Sequence, residues 1–194
     1  MFQKDKSKPS LLLHCCCSPC ASYVLECLVQ DYKTTLLFYN PNIEPREEYD
    51  KRRDEIYRLL EIIALDKRVG NSLPTFEVKL LECEYDNTVF ESAVLSLRNE
   101  PEGGKRCRVC FELRLEETAR RARAGEYDIF ATTLSVSPHK DAELINEIGR
   151  KISDELGVEY LSSNFKTNDG FKRSVELSKK YGLYRQRYCG CIGG

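Results

Sequence analysis

The chain has 194 residues, of which 41% are hydrophobic and 31% are charged, and its formal net charge is −1. This length suits a single domain over residues 1–194 with a full core, and the balanced charge excludes a protein that coats nucleic acid through a global basic excess. The chain starts without an apolar signal region, and no apolar run reaches about 18 residues. We therefore expect a cytoplasmic protein without a membrane span.

The first half of the chain alternates between strand and helix patterns. Residues 10–14 form a short, mostly apolar run, which is typical of a strand buried on both faces of a parallel sheet. Ser18 and Pro19 are favoured at the N-cap and the first position of a helix. A second strand is predicted at residues 34–39. An amphipathic helix follows, with these apolar positions on one face: Tyr49, Ile56, Leu60 and Ile63.

The second half of the chain continues this alternation. In chain order, the pattern predicts a strand at 76–80, a helix around 90–97, a helix opened by Cys107 and Cys110, a strand at 128–131, a helix around 145–156, a strand at 158–161 and a helix at 173–181. The fold class is therefore α/β, a Rossmann-like parallel sheet of about five strands with helices on both faces. Because ligands bind at the carboxyl ends of such strands, we expect the loops after the strands to form one cysteine-rich site.

Ten cysteines are the most informative feature of the chain, because eight of them are grouped. The groups are Cys15, Cys16, Cys17 and Cys20, then Cys107 and Cys110, then Cys189 and Cys191. Neighbouring cysteines suit a disulfide framework poorly, since their side chains diverge. A reducing cytoplasm also favours free thiols. Cys27 and Cys83 stand alone and are interpreted as small buried hydrophobic residues.

Two thiolates from the first group, together with Cys107 and Cys110, make four sulfur ligands. Such a set suits zinc or an iron–sulfur cluster, and the spacing does not choose between them. Cys107-x-x-Cys110 is also the spacing of a thioredoxin-like redox motif. Its predicted place at a helix N-terminus favours a negatively charged, thiolate-ligated centre.

Other motifs keep more than one interpretation. Cys189-Gly-Cys191 lies beside Gly193 and Gly194, where the chain can move. It could supply two more ligands, form a dithiol–disulfide couple or be a frayed tail. His14 could be a metal ligand or a hydrogen-bonded core residue. The segment 179–188 interleaves cations with aromatic rings, which suits single-stranded RNA or a solvated helix end. The charge run over residues 44–58 is interpreted as the solvent-exposed face of its helix.

Taken together, these stretches resemble the cobalamin-independent epoxyqueuosine reductases. The matching motifs are His14-x-Cys-Cys-x-Pro-Cys20, Tyr39-Asn-Pro-Asn-Ile-Glu-Pro45, Glu102-Gly-Gly-Lys-Arg-Cys-Arg-Val-Cys-Phe111, Thr132-Thr-Leu-Ser-Val-Ser-Pro138 and Leu183-Tyr-Arg-Gln-Arg-Tyr-Cys-Gly-Cys191. They span nearly the whole chain and favour an iron–sulfur centre over zinc. The resemblance implies a Rossmann-like fold and an oxidoreductase that reduces epoxyqueuosine in tRNA to queuosine.

The resemblance also implies residue roles. It assigns a [4Fe-4S] cluster to four ligands: Cys16, Cys17, Cys107 and Cys110. It implies that Cys189 and Cys191 form a redox-active pair. Cys15 occupies a variable position of the family, so the first loop offers three candidate thiolates. Cys20 matches the motif and could support an additional iron ion together with the C-terminal thiolates.

The implied partners are tRNA and an electron donor that the sequence does not identify. The reacting base would lie in the anticodon loop, where turning it out of the stack costs little because the loop is already single-stranded. Two other classes share part of the pattern. A tRNA sulfur transferase or ATP pyrophosphatase needs a glycine-rich phosphate loop after the first strand, and residues 14–20 contain no glycine. A zinc-binding RNA module would reduce no substrate.

Overall fold

The computed structural model describes residues 8–68 and 78–191. Its strands are β1 (Ser10–His14), β2 (Lys33–Phe38), β3 (Lys79–Glu82), β4 (Ile129–Thr132) and β5 (Glu159–Tyr160). They form one five-stranded sheet in the order β3-β2-β1-β4-β5. Every neighbouring pair is parallel. The predicted α/β class and the parallel sheet are therefore confirmed.

The helices in the same ranges are α1 (Ser18–Leu28), α2 (Arg46–Arg68), α3 (Thr88–Ala93), α4 (Lys105–Ala124), α5 (Ala142–Leu156) and α6 (Gly170–Tyr181). Short 3-10 turns occur at Leu95–Leu97 and Leu134–Val136. The predicted helix around 90–97 is thus a short α-helix followed by such a turn. None of these helices is long and apolar enough to cross a lipid bilayer.

The two faces of the sheet are both covered, as the sequence predicts. Successive side chains of β1 alternate between faces. Leu11 and Leu13 belong to a core with residues of α1 and α2. Leu12 belongs to a second core with residues of α4 and α5. All three leucines are fully buried, and each such side chain contributes about 1.5–3 kcal/mol through burial.

Several element boundaries lie one to three residues from the predicted ones, and two of these differences have a clear cause. The third strand is Lys79–Glu82 rather than residues 76–80, and Phe76 lies outside the described residues. The N-cap of α1 is Cys17 rather than Ser18, because the backbone is still extended at Cys17. Pro19 then falls in the first helical turn, where its missing N–H leaves no helical hydrogen bond unmade.

The strand order reverses between β1 and β4. From β1 the chain adds β2 and then β3 on one side, whereas β4 and β5 lie on the other side. In open α/β sheets the ligand crevice lies at the carboxyl ends of the strands where the order reverses. His14, at the end of β1, pairs with Thr132, at the end of β4. The loops that follow these two residues therefore border the crevice.

Candidate cysteine-rich redox site

The first cysteine loop separates Cys15 from its neighbours. Cys15 continues the strand, with its N–H donating to the Leu37 carbonyl oxygen at 2.9 Å. Its thiol is fully buried in the core beside Leu13 and donates to the same carbonyl at 3.6 Å. Cys16 and Cys17 belong to the opposite core and line a cleft. Of the three candidate thiols, Cys16 and Cys17 are therefore the two that face the crevice.

Two adjoining cavities lie at the carboxyl end of the sheet. The outer cleft has a volume of about 400 Å³ and is bordered by the loop after β1 and by residues 185–189. The inner cavity is bordered by the start of α4 and by the C-terminal cysteines. Between them the cavities contact seven of the eight grouped cysteines, namely Cys16, Cys17, Cys20, Cys107, Cys110, Cys189 and Cys191. The structure thus brings the predicted site residues together.

Four side chains line both cavities and mark the place where they meet: Glu102, His139, Lys140 and Cys189.

Cys83 is buried, as predicted for a lone cysteine, but the same prediction is wrong for Cys27, which is exposed on α1. Within residues 8–68 and 78–191, no three Cys, His, Asp or Glu side chains converge closely enough to hold a single metal ion.

Burial disfavours ionisation of the enclosed thiols Cys17 and Cys110. All ten cysteines are free. Burial raises the pKa of Cys110 to about 12. The pKa of Cys17 is raised to about 11. The hydrogen bond with Cys16 lowers this pKa, but the hydrogen bond with Cys20 and burial together raise it by more. Because metals bind the thiolate, a metal centre here would form with release of protons.

Two helix N-termini point into the site. Cys17 caps α1, and Cys107 and Cys110 lie in the first turns of α4, as predicted. The backbone N–H of Gly103 donates to the Cys107 sulfur at 3.2 Å. Helix N-termini and N–H groups stabilise negative charge on sulfur. The local backbone therefore favours thiolates at both groups.

Arg114 is a buried cation among these cysteines, with 1% of its surface exposed. Its Nε donates to the Cys110 carbonyl at 3.0 Å, whereas its Nη2 has no hydrogen-bond partner among the described residues. Burial lowers its pKa, but negative charge at Cys110 and Cys189 outweighs burial and raises it. An unpaired buried cation is unfavourable without a counter-charge. The site therefore suits an anionic group, and a thiolate-ligated iron–sulfur cluster is such a group.

Lys140 is a second cation at the site. It is partly buried and lies where the two cavities meet. Burial lowers its pKa, but negative charge at Cys189 and Cys16 outweighs this effect and raises it. Lys140 therefore keeps its positive charge next to sulfur from two distant parts of the chain.

His14 is a hydrogen-bonded core residue, which decides between its two interpretations. Burial, and then the charge of Arg114, lower its pKa to about 3, so the ring is neutral. Nε2 faces the Tyr39 carbonyl at 3.1 Å and must carry the proton. Nδ1 then accepts from the Thr132 hydroxyl at 3.0 Å. Both ring nitrogens are occupied, so the ring fixes the ends of β1 and β4 and has no nitrogen left for a metal.

The C-terminal segment is anchored by Arg52. This side chain is 1% exposed. Its Nη1 donates to the Cys189 carbonyl at 2.9 Å and its Nη2 to the Tyr188 carbonyl at 3.3 Å, while Nε pairs with Glu48 at 2.7 Å. The interpretation of residues 44–58 as a solvent-exposed face is therefore wrong at Arg52, because the tail covers it.

The 39–45 motif holds the cysteine loop and the tail at once. Asn40 donates from its side chain to the Cys15 carbonyl at 2.9 Å. The Glu44 N–H donates to the Gly190 carbonyl at 2.8 Å, and the Tyr188 hydroxyl donates to the Glu44 carbonyl at 2.7 Å. Of the three interpretations of Cys189-Gly-Cys191, the frayed tail does not fit these contacts, which hold the chain as far as Gly190. Gly193 and Gly194 lie outside the described residues.

The basic and aromatic segment divides between two roles. The Tyr184 hydroxyl donates to Glu48 at 3.0 Å, and the ring lies 3.6 Å from the Lys51 ammonium, so this part packs on α2. Arg185 and Arg187 instead line the outer cleft. Gln186, between them, lines the same cleft as Cys17. The interpretation of a packed helix end therefore holds for Tyr184, and RNA contact stays a prediction for the two arginines.

Sequence reasoning missed several residues that shape the site: Arg52, Arg114, Lys140 and the cleft residue Phe171. A signal existed for Arg114, since it lies four and seven residues after Cys110 and Cys107 on the same helix face. The others carry no local signal, because their roles come from contacts between distant segments.

An α/β sheet with seven cysteines and two cations where its strand order reverses defines a cysteine-rich redox or metal protein. The comparison with protein families makes this specific: the family model described as "Epoxyqueuosine reductase QueH" matches residues 11–193. The chain belongs to this family.

Curated relatives with the same description occur in distant bacteria. The protein of Streptococcus pyogenes serotype M1 is 40% identical over 193 residues, covering 99% of this chain and 72% of that protein. The protein of Thermotoga maritima is 35% identical over 183 residues, covering 94% and 88%.

A solved structure shares the fold. It is described as a predicted subunit of tRNA methyltransferase from Methanocaldococcus jannaschii, with a TM-score of 0.51, 16% identity and coverage of 87% of this chain and 74% of that one.

Proposed function

We propose that this protein is an epoxyqueuosine reductase, which converts epoxyqueuosine in tRNA to queuosine by a two-electron reductive deoxygenation. The observation that carries the proposal is the convergence of seven cysteines on two adjoining cavities at the crevice of the sheet. Membership of the reductase family over residues 11–193 supports the same activity. The reaction needs thiols, which a reducing cytoplasm maintains, and we propose that location.

The proposed cofactor is a [4Fe-4S] cluster held by Cys16, Cys17, Cys107 and Cys110. When bound, such a cluster supplies electrons one at a time. The chain fits this group in three respects: two helix N-termini favour thiolates, Arg114 offers a buried positive charge without an ionic partner among the described residues, and the partly buried Lys140 adds another positive charge. Cys15 is left out of the ligand set because its thiol lies in the opposite core.

The C-terminal cysteines are proposed to hold both electrons that one turnover consumes. Removing the epoxide oxygen as water consumes two electrons and two protons. Oxidation of the Cys189 and Cys191 thiols to a disulfide releases two electrons and two protons, which balances the reaction. An external electron donor then returns the pair to thiols. The same two side chains, with Cys20, could alternatively hold an additional iron ion. In either role, Arg52 and the 39–45 motif fix their backbone at the site.

The outer cleft is proposed to receive the tRNA. Its volume of about 400 Å³ lies in the range of pockets that hold one small molecule, and a single extruded nucleotide is of this size. Lys140, Arg185 and Arg187 along the cleft supply the local positive charge that the chain lacks as a whole.

The proposed activity is tested on anaerobically prepared protein with tRNA that carries epoxyqueuosine. We expect wild-type protein to form queuosine, measured by mass spectrometry of the digested nucleosides. Cys189→Ser and Cys191→Ser variants should keep cluster iron and sulfide but lose multiple turnover. Cys27→Ser, on the surface of α1, is the matched control and should behave as wild type. Full multiple turnover by both tail variants would remove the proposed role of the pair.

Replacing Arg114 is expected to raise the free energy of unfolding of the protein and to lower the midpoint potential of the cluster. Arg114→Met removes an unpaired buried charge and keeps most of the side-chain volume, so cluster-free protein should be stabilised by about 1–3 kcal/mol in urea unfolding. The cluster-loaded variant should have a more negative midpoint potential in a redox titration followed by electron paramagnetic resonance, because reduction adds negative charge. An unchanged potential would show that Arg114 does not balance cluster charge.

A further inference from the structure

Phe171 is a large apolar side chain that remains 39% exposed on the wall of the outer cleft. Scattered apolar residues on a protein surface are ordinary. An aromatic ring is different when it lines a cleft next to cationic side chains, because bases of single-stranded nucleic acid stack on such rings. Such a ring serves as a stacking surface when the protein holds it in a fixed position.

The backbone at Phe171 is held firmly. Gly170 starts α6, and a Cβ atom there would collide with the Phe165 carbonyl oxygen and lie 2.6 Å from the Tyr23 ring. One turn further along α6, Arg173 donates from Nε and Nη2 to the two Glu26 carboxylate oxygens at 3.0 and 2.9 Å. The first turn of α6 is therefore tied to α1, and Phe171 projects from a rigid support.

Arg185 is placed over the Phe171 ring. Its guanidinium carbon lies 5.6 Å from the ring centroid. Its Nη1 donates to the Ser178 hydroxyl at 3.1 Å and to the Ser174 carbonyl at 3.4 Å, so α6 fixes the cation as well as the ring. A fixed ring with a guanidinium on its face offers both stacking and positive charge to a nucleotide.

This pair lies away from the place where the cavities meet. Phe171 and Arg185 line the outer cleft but not the inner cavity, whereas Cys189 and Lys140 line both. Cys16 and Cys17 line the same outer cleft as this pair. Because this cleft has a volume of only about 400 Å³, the ring and these thiols lie within the reach of neighbouring nucleotides.

We propose that Phe171, with Arg185 on its face, is a stacking subsite for the unpaired base adjacent to the nucleotide that reacts. The inference rests on the proposed function, and it names the base that the outer cleft contacts beside the reacting nucleotide. Stacking is tolerant of base identity, since every base has a π-face. The subsite therefore selects an unpaired neighbouring base rather than a particular sequence.

The test measures binding of an anticodon stem–loop RNA to the cluster-loaded protein by fluorescence anisotropy. Phe171→Leu keeps an apolar side chain but removes the ring, and it should weaken binding about 5- to 150-fold, the range expected for one stacked base. Phe171→Trp should restore wild-type affinity. Tyr57→Leu is the control, because Tyr57 is an aromatic residue 42% exposed and lines neither cavity.

A second set of RNAs identifies the partner of the ring. An abasic site beside the target nucleotide should weaken binding to wild-type protein by the same factor as Phe171→Leu. It should weaken binding to the Phe171→Leu variant no further, because the stacked pair is already lost. The subsite would be overturned if the fold losses from the abasic site and from Phe171→Leu multiplied when both changes were combined. Equal affinity of the leucine variant and wild type would overturn it as well. These readouts are binding affinities and do not depend on turnover. Failure of wild-type protein to form queuosine would therefore count against the proposed function, whereas the affinities alone decide whether the stacking subsite exists.

Discussion

Replacing Cys110 with serine is expected to abolish retention of cluster iron and sulfide, and with it any detectable formation of queuosine. Cys110 is buried at the inner cavity, and its carbonyl holds the Arg114 guanidinium. A serine hydroxyl is a harder ligand that does not replace a soft thiolate on iron. Iron should fall from about four atoms per chain, the content of one such cluster, to below one. Metal and acid-labile sulfide analysis of anaerobically purified protein measures this.

Two other cysteines separate ligand loss from general damage. Cys15→Ala removes a thiol that lies in the opposite core, so we expect a loss of about 1 kcal/mol in stability with iron retained. Cys27→Ser changes an exposed thiol and should alter neither. If Cys15→Ala lost its iron while Cys16→Ala kept it, the assignment of the first-loop ligands would have to be reversed.

The predictability of the fold followed the strength of the local pattern. β1 is an apolar run of residues that are almost all fully buried, and α5 carries a regular apolar stripe, so both were predicted within a few residues. The predicted third strand lies two to three residues from β3. β3 is an edge strand with no buried residue, so its sequence carries little of the apolar pattern that burial imposes. The strand order could not be read from the pattern, since it depends on packing between elements.

The site was predictable only in part for a similar reason. The cysteine groups are short and local, and the sheet topology brings their loops to one rim. The charged residues are different. Arg52 and Glu48 have the spacing of an ordinary surface ion pair, and Arg52 becomes buried because a segment 137 residues later in the chain covers it. Arg114 likewise looks like one of many helix charges until the surrounding sulfur atoms are known.

Gly190→Ala is expected to reduce multiple turnover at least about tenfold while leaving cluster iron in place. Gly190 has a backbone φ of +133°, which residues other than glycine rarely adopt. A Cβ atom there would also lie 2.9 Å from Ile43 Cγ1 and 3.3 Å from Arg52 Nη1, two parts of its anchor. Strain of this kind amounts to about 1–3 kcal/mol, which the protein can relieve by moving the tail.

The displaced tail carries Cys189 and Cys191, so the thiols should no longer meet the substrate in the geometry that turnover needs. Limited digestion with trypsin should show faster cleavage after Arg185 and Arg187 in this variant. Gly157→Ala is the matched control, because that glycine also has a positive φ, +67°, but a Cβ atom would meet nothing within 4 Å. It should lower stability by about 1 kcal/mol and leave turnover and cleavage unchanged. Equal turnover in both alanine variants would mean that the anchored position of the tail is not required, and that the two thiols act from a freely moving segment.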